Sequence, residues 1–177
     1  MSDMASVPRF SRLLYTSRRR DLGHADAEGL DVEGLAASSA ARNVPAGLTG
    51  CLLLVDGTFI QLLEGPAAAV EATFERICRD LRHTDLQLVD LAETAERLFP
   101  AWSMACLDAD RAAEPEVRGC AQEVHYLMNI NAAAAIRQMR DLFDRGGSLD
   151  GERLGNEQGW TLSALDSAAR HAAHTAG

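Results

Sequence analysis

The stretch GLTGCLLLVDGTFIQLLEGP, Gly47 to Pro66, decides the fold. Two apolar runs flank Asp56-Gly57, a dipeptide that readily takes the positive φ angles of a tight hairpin turn. They predict paired strands over Gly50–Val55 and Thr58–Leu63. Strand side chains alternate between faces, so Phe59, Gln61 and Leu63 share one face while Thr58, Ile60, Leu62 and Glu64 share the other. A glutamine between Phe59 and Leu63 is the anomaly. A buried primary amide costs about 1–3 kcal/mol unless its donors and acceptor are met. Either that face is wet, or something polar is held against it.

Upstream, RFSRLLYTSR reads as a first strand that places Leu13, Tyr15 and Ser17 on one face. Leu30, Gly34, Ala37 and Ala41 stand at helical spacing and predict a helix within Asp26–Arg42, ended by Pro45 and Gly47. Downstream, Pro66 suits a helix start, where its missing N–H costs nothing. Val70, Phe74, Ile77 and Leu81 then form an apolar stripe. LQLVDLA and WSMACLD read as strands. The order β-α-β-β-α-β-β predicts an α+β, ferredoxin-like sheet with an extra strand and two helices on one face. Residues 10–108 form this unit, and residues 109–177 a helical extension. Val117, Val124 and Met128, then Ile136, Met139 and Phe143, predict two helices broken near Asn129–Asn131. GGSLDGERLGNEQG reads as a glycine-rich loop, and WTLSALDSAARHAAHTAG as a last amphipathic helix.

The chain has 177 residues, 47% of them hydrophobic, and a formal net charge of −9. That balance argues against a non-specific binder of nucleic acid or anionic membrane. All 17 fixed basic side chains are arginine, which excludes lysine Schiff-base chemistry and a Walker lysine. Cys51, Cys78, Cys106 and Cys120 form no CxxC pair and read as free thiols in a reducing compartment. With no signal-peptide core and no long apolar run, a cytoplasmic protein is expected. His171 and His174 read as a solvated terminus rather than metal ligands, and Glu71 with Glu75 as a solvated helix face. The glycine-rich loop puts Gly146 and Ser148 at the first two positions of a calcium-loop template and fails it. No motif of a hydrolase or transferase stands in its required context, so no enzyme is expected.

Six short motifs in order carry a resemblance: LLYTSR (Leu13–Arg18), S-x-x-R-N (Ser39–Asn43), GLTGCLLL (Gly47–Leu54), GTFIQLLEGP (Gly57–Pro66), RDLRH (Arg79–His83) and ERLFPAWSM (Glu96–Met104). Each is weak alone; in this order and spacing the chain resembles the BLUF family of blue-light sensors that use a flavin. The resemblance implies that Tyr15 is the photoactive tyrosine and that Gln61 lies between it and the flavin ring. It implies Asn43 at the carbonyl edge of the ring, Arg82 and His83 as a basic pair near the flavin, and Ser17 near the tyrosine. Trp102 and Met104 match a pair lining the glutamine side, with two orientations of Trp102 open. Many members have two asparagines where this chain has Arg42-Asn43. Arg42 is then left to a flavin phosphate, the ring edge or solvent, and Arg18–Arg20 to the phosphates or a solvated loop.

On this resemblance the cofactor is FAD, with FMN an alternative, and light switches a hydrogen-bond network through Tyr15 and Gln61. The helices after Asp108 cap the open sheet face and support a homodimer or larger homo-oligomer, or else present an output surface; either way the signal passes to a separate partner protein. The rival is a ferredoxin-like binding or oligomerisation module without functional flavin. A flavin oxidoreductase would need a substrate cavity that nothing in the sequence supplies.

Overall fold

The computed structural model describes residues 10–20, 32–148 and 160–162. Its elements are β1 (Phe10–Arg19), α1 (Val32–Ala46), β2 (Thr49–Val55), β3 (Thr58–Gly65), α2 (Ala67–Cys78), β4 (His83–Thr94), β5 (Ala105–Asp108), α3 (Pro115–Met128), α4 (Ala132–Ser148) and β6 (Trp160–Leu162). The sheet runs β4-β1-β3-β2-β5-β6. β1 lies antiparallel to both β3 and β4, and β2 antiparallel to β3. β5 joins parallel to β2, and β6 antiparallel to β5. This is the ferredoxin-like arrangement: each β-α-β crossover leaves a gap that one strand of the other crossover fills.

The hairpin that opened the sequence forms as written. Asp56 (φ 50°) and Gly57 (φ 68°) both take positive φ, the two-residue turn whose twist matches the strands. Every residue of β2 and β3 is buried, because helices cover both faces. On one face, Leu52, Leu54, Phe59 and Leu63 meet Val32, Leu35, Ala36 and Ala40 of α1, while Leu13 and Tyr15 meet Val70 of α2. On the other, Leu14, Leu53, Ile60 and Leu62 share a core with Val124, Met128, Met139 and Phe143 of α3 and α4. Gly50 lets the hairpin close: a methyl there would stand 2.0 Å from the Leu62 carbonyl oxygen.

Several sequence expectations are corrected. α1 buries Val32, Leu35, Ala36 and Ala40, while Gly34, Ala37 and Ala41 face solvent. The larger Val32 and Leu35 lie on the buried side and set which face packs on the sheet, with Ala36 and Ala40 beside them. Leu81 is 74% exposed, because α2 stops at Cys78 and no helix carries the stripe a further turn. WSMACLD is strand only from Ala105. Trp160–Leu162 is a strand paired to β5, not helix; the rest of that segment, with His171 and His174, lies outside the described residues. α4 runs through Gly146 to Ser148, into the stretch read as a loop. Among the described residues, no helix is long and apolar enough to cross a membrane, and no group of three or more His, Cys, Asp or Glu could hold a metal ion.

Candidate functional site

Because β1 and β3 are antiparallel neighbours, Tyr15 stands directly opposite Gln61. The register brings together residues 46 apart in the chain. Both point to the α1–α2 face, where they are 1% and 4% exposed. The Tyr15 hydroxyl donates a short hydrogen bond to Gln61 Oε1. Gln61 Nε2 points at the Met104 thioether, 3.5 Å away. Sulfur is a weak acceptor, so the amide is firmly held at its oxygen and loosely at its nitrogen. Burial first, then Cys78 and Asp80, push the Tyr15 phenol well above its ordinary pKa. It therefore stays protonated across the working pH range.

A second pair lies further along β1. Ser17, 1% exposed, is 3.0 Å from His83 Nδ1 at the start of β4. The His83 ring packs against Phe59 with centroids 5.1 Å apart. Burial lowers the His83 pKa, outweighing the pull of Asp80, so the neutral ring dominates near pH 7. Asn43, 2% exposed on α1, donates from Nδ2 to the Ser103 carbonyl at 2.8 Å. That bond ties α1 to the segment leading to Met104.

Most of these residues border one cleft between α1 and α2 over the sheet, open to solvent on one side. Tyr15, Gln61 and Asn43 line it together with Leu35, Leu52, Leu63 and Ile77; Ser39, Arg42, Thr73, Arg76, Asp80, Arg82 and His83 complete the wall. Of the residues named from sequence, Tyr15, Gln61, Asn43, Arg42, Arg82 and His83 line the cleft. Ser17 and Met104 stand behind His83 and Gln61. The structure does not bring Trp102 to Gln61. It packs against Phe99 and Phe143 on the opposite face, its carbonyl accepting from Gly50 N, because it lies ahead of β5 and is not bound to that strand's alternation. Arg18, Arg19 and Arg20 are exposed at the end of β1.

Two groups escaped sequence reading. Asp80 binds Arg82 through its side chain and its backbone N–H, and those bonds hold its carboxyl down at about 2. The only available signal was the Asp80-Leu-Arg82 spacing of opposite charges within the RDLRH motif. Glu64, fully buried on β3, accepts from Leu98 N and Phe99 N at 2.9–3.0 Å, anchoring the connection that carries Trp102 and Met104. A carboxylate ending an apolar strand was the clue there.

Residues 10–105 match the family model described as BLUF, sensors of blue-light using FAD. The chain belongs to the BLUF family. It is therefore a blue-light sensor of the flavin-using kind, and the buried Tyr15–Gln61 hydrogen bond fits a tyrosine–glutamine switch. The β subunit of a photoactivated adenylate cyclase from Euglena gracilis is 41% identical over 76 residues, 42% of this chain and 9% of that protein. The blue light- and temperature-regulated antirepressor BluF of Escherichia coli is 35% identical over 74 residues, 42% of this chain and 17% of that protein. Among solved structures, the dark state of BlrB, a BLUF protein, superimposes with TM-score 0.62 at 27% identity, covering 78% of this chain and 98% of that one. Klebsiella pneumoniae BlrP1, solved with FMN and cyclic diGMP, gives TM-score 0.53 at 30% identity over 58% of this chain and 27% of that one. The chain thus matches a small part of these cyclase and antirepressor relatives.

The residues present fit a flavin. Its ring is flat, apolar on its faces and studded with acceptors along its edges. The cleft presents aliphatic side chains from both walls and two amides, Asn43 and Gln61, at its buried end. The Gln61 N–H donors, meeting the thioether, have capacity for a better acceptor.

Proposed function

We propose that Tyr15 and Gln61 are the light-driven switch of this chain, that Asn43, Gln61 and His83 hold the flavin ring, and that the flavin is FAD. The observation that carries this reading is the hydrogen bond from the buried Tyr15 hydroxyl to Gln61 Oε1 at the inner end of the cleft. Bound flavin supplies the blue-light absorption and, once excited, an oxidising partner for a phenol. Tyr15 cannot ionise alone in its desolvated setting, so its proton leaves only together with an electron. The proton's path is the existing bond to Gln61 Oε1. An amide accepts at oxygen and releases at nitrogen, so Gln61 can pass a proton through and re-seat. Its loose hold on Met104 Sδ sets a low cost for that change. Once the electron and the proton have returned to Tyr15, dark and lit states would differ only in which atoms of Gln61 are bonded.

Residues 10–108 are the light-sensing unit on this reading, and residues 109–177 cap the sheet and carry the output. α3 and α4 share a core with β3, the strand that bears Gln61. Exposed Tyr126 and Ile130 offer apolar contact to a second copy or to a separate effector, as suits a sensor without catalytic output of its own. The thiols of Cys51, Cys78 and Cys120 are free, which supports a cytoplasmic setting. An absorption spectrum before and after a blue flash tests the reading. A flavin spectrum that shifts slightly to the red and recovers in the dark is expected. A flavin-loaded protein with no reversible shift overturns it.

A further inference from the structure

The cleft divides by charge. Its inner end carries neutral hydrogen-bonding groups on buried side chains, Tyr15, Gln61 and Asn43. Its outer rim carries arginine. Arg82 there is already neutralised: its Nε lies 2.9 and 3.0 Å from the two Asp80 oxygens, and Nη2 makes a further short contact. Arg42 of α1 and Arg76 of α2 are different. Both line the cleft and both are exposed, which sets them where it meets solvent. Among the described residues neither is in an ion pair. Arg76 reaches only the neutral Thr73 hydroxyl, at 3.4 Å, and the neighbouring carboxylate Glu75 is turned to Arg79. In a chain of net charge −9, two guanidinium groups without an ion pair among the described residues thus stand on the two helical walls of one cleft. Guanidinium forks suit phosphate oxygens through paired N–H donors.

We propose that Arg42 and Arg76 form a clamp for the phosphate of a flavin's side chain, so that this site selects phosphorylated flavins over riboflavin. The inference rests on the flavin reading above and adds the source of selectivity. The ring is recognised by neutral groups inside, and the phosphate by two cations at the rim. The anion stays near solvent, where it keeps part of its hydration, and the clamp works without the desolvation cost of a buried pair.

Flavin-stripped full-length chain titrated with riboflavin, FMN and FAD, followed by flavin fluorescence, tests this. FMN and FAD bind the unaltered chain about tenfold or more tightly than riboflavin, the range of two charge-assisted contacts at a wet rim. Arg42→Ala and Arg76→Ala each remove part of the preference. The double variant brings the three ligands within about twofold, and raising salt to about 0.5 M shrinks the preference in the unaltered chain. Asn43→Ala weakens all three ligands together and leaves the preference standing. If riboflavin binds as tightly as FMN, or the preference survives in the double variant, the clamp is overturned. If none of the three binds the unaltered chain, the flavin reading itself falls, a result distinct from ring binding without phosphate preference. Should the double variant lose its far-UV circular dichroism, Arg42→Gln/Arg76→Gln must show the same collapse of selectivity.

Discussion

The two faces of the sheet are built from the same strands and filled with opposite chemistry. β3 sends Phe59, Gln61 and Leu63 under α1 and α2, and Ile60 and Leu62 under α3 and α4. On the first face, polar groups are buried in pairs: Tyr15 with Gln61, Ser17 with His83, Asn43 with the Ser103 carbonyl. On the second, Phe99, Trp102 and Phe143 form an aromatic cluster with centroids 6.1–6.4 Å apart. Burying apolar area stabilises at about 25 cal/mol per Å², whereas a buried polar pair only roughly recovers its desolvation. The dry face holds the sheet together, and the polar face can then keep groups whose bonds rearrange. Glu64 is the instructive exception: a carboxylate in the dry layer, tolerated because two backbone N–H groups meet it.

The sharpest way to break this contrast is Gln61→Leu. It turns the polar face apolar at one point while leaving room for flavin. The light-induced red shift disappears entirely, checked by flash spectroscopy; an unchanged shift removes Gln61 from the switch. Phe143→Ala attacks the other face, costing about 3–5 kcal/mol of stability by cavity formation, read from urea unfolding, with the spectral shift retained in the folded fraction. If Phe143→Ala costs under about 1 kcal/mol, the dry face is not the stabilising one.

Glu64→Gln probes the exception. It keeps the shape but weakens the acceptor for Leu98 N and Phe99 N, at a cost of about 1–3 kcal/mol by the same unfolding assay. The smallest effect concerns pH. Asp80 is held down at about 2, against 3.8 for a free carboxyl. A depressed folded-state pKa contributes stability above the unfolded value and loses it as pH falls through the folded one. Stability from the Asp80–Arg82 pair is thus full above about pH 4 and fades toward pH 2. After solvent screening it is about 1 kcal/mol. Asp80→Asn flattens that part of a pH–stability curve, and an unchanged curve shows the pair contributes nothing.

The hairpin, the element order and the Gln61 anomaly were legible because each depends on neighbours in the chain. Alternation placed Leu13, Tyr15 and Ser17 on one face of β1, and the turn at Asp56-Gly57 set which residues of β2 and β3 oppose. Periodicity chose the wrong face of α1, however, since Gly34, Ala37 and Ala41 repeat at helical spacing but the large apolar residues Val32 and Leu35 stand on the other side and go to the core. It extended the α2 stripe to Leu81, one turn past the helix end. It read helix at Trp160–Leu162, where pairing with β5 selects strand.

The sequence by itself determined the order of the first five strands, the hairpin register and the presence of a phenol and an amide at positions able to share a face. Local sterics and the strand repeat of two suffice for these. Only the tertiary structure decided that Tyr15 and Gln61 meet across an antiparallel pair, that Met104 backs Gln61 while Trp102 joins the opposite layer, and that Arg82 is spent on Asp80 while Arg42 and Arg76 line the cleft with no ion pair among the described residues. Those outcomes depend on which distant groups compete for each bond, and such competition exists only once the sheet and its helices have closed around it.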